Sequence, residues 1–305
     1  MERGTVWSLA LGVVVGAAWL AACGGKATES GPGPTTTSHS GGGGSGAHAG
    51  AGGGGAQGGV GAGGEDCGGC SGLEQCWHGQ LCVAESVTVP GGYAIDATEV
   101  TRGQYEAWLA LSPPTSNQNA ACTWNTSFAP DAACMQSPSV CQGNGCRRHP
   151  QPCVDQCDAL AYCSAVGKRL CGKIGGGPIT GTPFDPAQSQ WDHACTSGGV
   201  DDFTYGSAPA PGTCNDYTMT QSTTVPVASL PGCQSPLPDY ASVFDLIGNL
   251  AEWEDNCSTS AGPTDVCQPR GLSFGMGAAM PMCDSADYAE RSQTRDNLGF
   301  RCCAP

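Results

Sequence analysis

Phe244-Asp245-Leu246-Ile247-Gly248-Asn249-Leu250-Ala251-Glu252-Trp253 carries the reading of this chain. An apolar run is broken once, by Gly248-Asn249, and two carboxylates seven residues apart flank the break. Calcium takes six to eight hard oxygens, and a tight glycine turn can aim backbone carbonyls inward between two acidic side chains. The same pattern also suits a solvated acidic turn. A buried-looking stretch with a turn at its centre belongs to an irregular, loop-rich protein rather than to a helical bundle.

The composition agrees. The 305 residues include 48 Gly and 22 Pro, with only 13% charged and 7% aromatic residues, which excludes a long coiled coil. A net charge of -15, from 12 basic and 27 acidic residues, speaks against a nucleic-acid partner, because phosphate binding needs clustered Lys and Arg. Twenty-one cysteines point to an oxidising compartment.

The N-terminus points to export. Arg3 precedes an apolar run from Val6 to Leu20 that is short for a membrane span. Leu20-Ala21-Ala22-Cys23-Gly24 is similar to a bacterial lipobox, so residues 1–23 are expected to be a signal peptide with lipidation at Cys23. Acyl chains there would make a membrane the first partner, at about 0.8 kcal/mol per buried methylene. Gly24 is not the Asp of an inner-membrane retention signal, so the expected location is the outer membrane, on its periplasmic or cell-surface side. Residues 24–66 are Gly, Ala, Ser and Thr with almost nothing to bury, and read as a flexible tether. Removing Cys23 leaves an even number of cysteines.

Cys67, Cys70, Cys76 and Cys82 then form a compact cluster over 67–86. Zinc and a redox pair are alternatives, but the compartment favours two local disulfides holding a small knot. The main domain is expected over 87–305. Val87–Val89 and Tyr93–Ile95 read as strands around Pro90-Gly91-Gly92. Thr101 and Gln104 have capping-box spacing, which predicts a helix over 102–110. Further helices are predicted at 155–166, ended by Gly167, and at 186–196, opened by Asp185-Pro186. Residues 113–152 hold Cys122, Cys134, Cys141 and Cys146 and read as a Cys-rich insertion.

Several segments in fixed order resemble the formylglycine-generating enzyme, or sulfatase-modifying factor, family. They are Ile95-Asp96-Ala97-Thr98-Glu99-Val100-Thr101-Arg102, Ala161-Tyr162-Cys163 to Gly167-Lys168-Arg169-Leu170, Trp191 with Cys195-Thr196-Ser197-Gly198-Gly199, Phe244 to Trp253, Arg270-Gly271-Leu272-Ser273-Phe274, Arg291-Ser292-Gln293, and Leu298-Gly299-Phe300-Arg301-Cys302. The resemblance implies an α+β, C-type-lectin-like fold, rich in loops and disulfides. It implies calcium ligands at Asp245, Gly248, Leu250 and Glu252, the glycine and leucine through their carbonyls. A second family calcium site begins at Asn215, but its downstream Asp and aromatic are missing here. Ser273, Arg291 and Cys283 fall at family active-site positions, and Ala251 replaces a pocket aromatic.

The family's enzymes oxidise a substrate cysteine to formylglycine with copper(I) held by two cysteines five apart, a pair that suits a soft ion. Here the first position falls at Ala278 or near Met276, so no copper site is expected. The resemblance also implies a Cys163–Cys302 disulfide. The usual partner of Cys195 falls at Tyr288, so Cys283 is either a free thiol or the substitute partner of Cys195. Cys303 is left to pair elsewhere, with Cys171 as a candidate. The first reading is an exported lipoprotein domain without catalysis that binds a protein or glycan or serves a structural role. A second is a formylglycine-generating oxidase. A third is another activity in a cleft with Ser273, Arg291 and Asp287.

Overall fold

The computed structural model describes residues 67–70, 72–180, 184–219, 221–276 and 281–305. The expected signal peptide, Cys23 and the whole glycine-rich stretch up to 66 lie outside the described residues, as do Ala278 and Met280. Glu74–Trp77 (β1) and Leu81–Ala84 (β2) form an antiparallel hairpin, tied to the segment before it by Cys67–Cys76 and Cys70–Cys82. The segment over 67–86, expected as a small knot, also packs into the main domain. Leu81 and Val83 alternate onto one face and enter the main core, and Trp77 covers Gly167 so closely that a Cβ there would lie 2.1 Å from the indole.

Ser86–Val89 (β3) and Tyr93–Asp96 (β4) pair across a turn at Gly91 and Gly92, both at positive φ, which glycine adopts without a Cβ clash. Helix α1, Arg102–Ala110, starts as the capping box implies: the Gln104 amide N–H donates to Thr101 Oγ1 (3.2 Å), and the Thr101 N–H donates to Gln104 Oε1 (3.0 Å). Helix α2, Gln156–Ala165, uses Asp155 and Asp158 in the same way and is closed by Gly167 at φ +70°. Arg169–Leu170 (β5) follows at once. Helix α3 is Gln190–Cys195, shorter than predicted. Asp185 does open a turn, accepting from the backbone N–H groups of Gln188 and Ser189, but the Ser189 hydroxyl takes over as cap by accepting from the Asp192 N–H (2.9 Å).

The chain then runs mostly as ordered loops, with short strands Ala251–Trp253 (β6), Val266–Cys267 (β7), Ala289–Glu290 (β8), Leu298–Phe300 (β9) and Cys302–Ala304 (β10). β10 returns between β4 and β5, giving the sheet order β3-β4-β10-β5. β6 lies parallel to β9, with Ala251 opposite Leu298 and Trp253 opposite Phe300. Residues 113–152 carry only short 3-10 turns, fastened by Cys122–Cys157, Cys134–Cys153 and Cys141–Cys146.

Two apolar clusters result. In one, Tyr105 and Trp108 of α1 meet Tyr162 of α2 and Phe300 of β9, with ring centroids 5.1–6.1 Å apart. In the other, Tyr93 and Ile95 of β4 meet Trp191 and Cys195 of α3, Leu246 and Ile247. Cys163–Cys302 and Cys171–Cys303 link the two clusters' helix and sheet to the C-terminal strand, with sequence separations of 139 and 132.

These two bonds close nearly the same long loop, so once one is made the other constrains only a short ring. By the chain-entropy relation, losing either should cost about 3 kcal/mol and losing both about 8 kcal/mol. Denaturant unfolding of C163A/C302A, C171A/C303A and the quadruple variant is expected to show a combined loss larger than the sum of the two.

Candidate functional site

The turn at Gly248 is held from three directions. Its φ is +78°, and a Cβ there would lie 2.5 Å from the carbonyl oxygen of Asn215, so the turn must be glycine for both reasons. The Asn249 N–H donates to that same carbonyl (2.8 Å), and Glu99 accepts from Asn249 Nδ2 (2.9 Å) and from the Leu250 N–H (3.0 Å). Asp245, at φ +59°, accepts from the Ala228 N–H (2.7 Å). Glu252 is engaged differently. One carboxylate oxygen accepts from Arg301 Nη2 (2.7 Å), the other from Arg301 Nε (2.7 Å) and from Trp191 Nε1 (2.9 Å).

Glu99, Asp245 and Glu252 thus surround one fully buried guanidinium, Arg301. Burial pushes the Asp245 carboxyl up to about 6, partly offset by the Ala228 N–H and Arg301 and reinforced by Glu252. Burial, then the charges of Asp245 and Glu252, push Glu99 well above its ordinary value. Beside the turn, Asn215 Oδ1, Asp216 Oδ2 and Thr223 Oγ1 are buried and lack a partner among the described residues. Neither Asp216 nor Thr223 was among the sequence candidates. Each is an ordinary polar loop residue, and only the packing of Asn215–Asp216 against Gly248 singles them out.

The three expected catalytic positions are separated in their bonding. Cys283 is fully buried and joined to Cys195 of α3. Arg291 is buried in an ion pair with Asp265 (3.2 Å), and it also donates to Thr259 O and Gln156 Oε1. The Ser273 hydroxyl, fully buried, donates to the neighbouring Phe274 carbonyl (3.3 Å). Asp287 pairs with Arg295. Two clefts of about 570 and 580 Å³ open elsewhere, one between α1, α2 and the 113–128 loop, the other between the β1–β2 hairpin, α1 and Arg147–Arg148. Neither is lined by Ser273, Cys283 or Arg291.

The family model for the sulfatase-modifying factor enzyme 1-like domain matches residues 58–304. The chain belongs to this family. Its fold is accordingly the α+β, C-type-lectin-like fold of formylglycine-generating enzymes. Among curated proteins, no sequence matches the chain significantly. Among solved structures it is similar to PvdO from Pseudomonas aeruginosa, at 20% identity over 73% of this chain and 82% of that one (TM-score 0.47). It is also similar to CarF, at 18% identity over 70% and 86% (TM-score 0.45), and to Treponema denticola variable protein 1, at 17% identity over 73% and 86% (TM-score 0.43).

The donors present do not fit the family's copper ion. The Cys283 sulfur is bonded to Cys195, Met276 Sδ accepts from Asn297 Nδ2 (2.8 Å), and Met282 packs on the second cluster. Calcium fits the turn in part. The orphaned oxygens of Asn215 and Asp216 are suitable hard donors, whereas Glu252 is committed to Arg301 and Trp191. Asn125, which opens an Asn-Thr-Ser glycosylation sequon, is buried, and its amide donates to Asp158 Oδ1 (2.8 Å).

A second buried charge cluster sets a pH dependence. Arg270 Nε lies 3.2 Å from Glu254 and 3.5 Å from Asp192. Burial pushes Asp192 up to about 6 against the pull of Arg270. Burial and the Asp192 charge push Glu254 up to about 7, again against Arg270. Both folded-state values lie above the ordinary 3.8 and 4.5, so between them the native state binds more protons than the unfolded chain. The stability these groups contribute is present near pH 4 and lost as pH rises to about 7. Thermal melts at fixed ionic strength should show a falling melting temperature across that window, with a shallower fall in Asp192→Asn. A steady rise would contradict the assignment.

Proposed function

We propose that this protein is an exported lipoprotein, anchored to the outer membrane through Cys23, whose sulfatase-modifying factor-like domain serves binding or structure rather than formylglycine formation. The observation that carries this reading is the Cys195–Cys283 bond. Copper(I) in the family's enzymes needs two thiolates in line, and this chain offers one cysteine at the place, with its sulfur already used. The twenty cysteines among the described residues are all in disulfides.

Thiol titration of the denatured, non-reduced mature protein is expected to give only what a non-lipidated Cys23 contributes. A competition assay should detect no tight copper(I) binding, and a sulfatase-type cysteine peptide should remain unconverted. Two titratable thiols, with copper(I) binding that Cys283→Ser abolishes, would make the oxidase reading the correct one.

Calcium is proposed as a structural ion at the Gly248 turn, with Asn215 and Asp216 as the side chains that would hold it. It would bind the native state alone and raise its stability by mass action. Millimolar calcium should raise the melting temperature, and Asp216→Asn should reduce that rise. Glu252→Gln should lower the melting temperature with or without calcium, since it breaks the Arg301 pair. An Asp216→Asn protein with an undiminished calcium shift would remove Asp216 from the ligand set.

A further inference from the structure

The chain has few basic residues, and several of them are buried in ion pairs: Lys168 with Asp96, Arg270 with Asp192 and Glu254, Arg291 with Asp265, and Arg301 with Glu252. Arg102, Arg147 and Arg148 differ, because they gather at one corner where α1 meets the 3-10 segment Asn144–Arg148. The corner is rigid. Cys141–Cys146 crosslinks it, the Arg102 N–H donates to His149 O (2.9 Å), and the Val227 N–H donates to Arg148 O (2.9 Å). Gly103 lets the two segments close up, since a Cβ there would lie 3.1 Å from Arg147 O.

Two of the three guanidiniums are engaged. Arg147 pairs with Glu106 (2.8 Å), and Arg102 donates to Cys141 O (2.6 Å). Arg148 is exposed, and its side chain has no hydrogen bond or ion pair among the described residues. Arg147 and Arg148 line the cleft of about 580 Å³ together with an apolar wall of Leu73, Val227, Pro231 and Phe244. Among the described residues the one carboxylate in that lining is Glu74, which accepts from Gln104 Nε2 (3.0 Å). At the start of α1 the Arg102 N–H is used by His149 and the Gln104 N–H by the capping box.

We propose that this cleft binds a small ligand carrying one oxyanion, a carboxylate, phosphate or sulfate, which pairs with Arg148 while the ligand's body rests on the apolar wall. The volume is that of an ordinary small-molecule site, and the lining mixes apolar surface with polar side chains that can set a ligand's orientation. The pinned backbone leaves only the side chain's own rotamers to be ordered on binding, and its planar fork matches an oxyanion. The site is independent of the copper question, because it contains none of the family's active-site positions.

The test uses benzoate, phenyl phosphate and phenyl sulfate as probes, with benzyl alcohol as the uncharged control, titrated calorimetrically into the folded domain at low salt. At least one anion should bind tenfold or more tightly than benzyl alcohol, and which one does so identifies the oxyanion. Arg148→Glu should lower that affinity at least tenfold, and Arg148→Lys should lose less. Lys173→Glu, the same charge change at a distant exposed position, should bind as the parent does. Melting curves establish that each variant is folded. Anions that bind no better than benzyl alcohol, or that lose affinity equally in Lys173→Glu, would overturn the proposal.

Discussion

The Arg301 guanidinium is the contact on which the rest of this fold depends. It is fully buried just before the last strand, and it donates to Glu252, to the carbonyl of Asp96 at the end of β4 and to the carbonyl of Phe244. One side chain therefore joins three segments that are remote in sequence. Breaking such a pair by removing one partner costs about 3–5 kcal/mol, because the other charge stays buried. The next interaction along repeats the pattern: Lys168 pairs with Asp96, whose second oxygen accepts from the Cys302 N–H (3.0 Å). Ion pairs and backbone acceptors thus do at the C-terminus what a larger sheet does in other folds.

Covalent bonds do the remainder. Ten disulfides join segments with little regular structure, and their separations range from 5 to 139 residues. The short ones fix the insertion, where the 3-10 turns bury little. The long ones return the C-terminal strand to α2 and β5. Limiting the unfolded ensemble in this way lets a chain with many glycines hold ordered loops.

Much of this was legible in the sequence, for a local reason. Capping boxes, glycine stops and strand–turn–strand patterns act over a few residues, so α1, α2, β3 and β4 could be placed from Thr101, Asp155, Gly167 and Gly91-Gly92. The start of α3 was misread because Asp185-Pro186 satisfies the same local rule as Ser189, and only Glu254, just after β6, accepting from the Ser189 hydroxyl (2.6 Å), distinguishes the two positions. The hairpin's share in the core was illegible because Trp77 meets Gly167 across ninety residues. The charge cluster was half visible. Asp245 and Glu252 stood out by spacing, yet Arg301 and Glu99 as their neighbours follow from the chain's path alone.

That path also determines what becomes of the cysteine at the family's metal position. In the family a cysteine near the C-terminus holds the end of α3, and here that position is Tyr288, which is 59% exposed. The crosslink is made instead from Cys283, five residues earlier and fully buried. A scaffold that depends on disulfides needs α3 fastened, because Trp191 and Cys195 form the centre of the second cluster. Meeting that need with the one cysteine at the family's metal position keeps the architecture and places that sulfur in a disulfide. Arg291 bonds Gln156, Thr259 and Asp265 and is part of the frame.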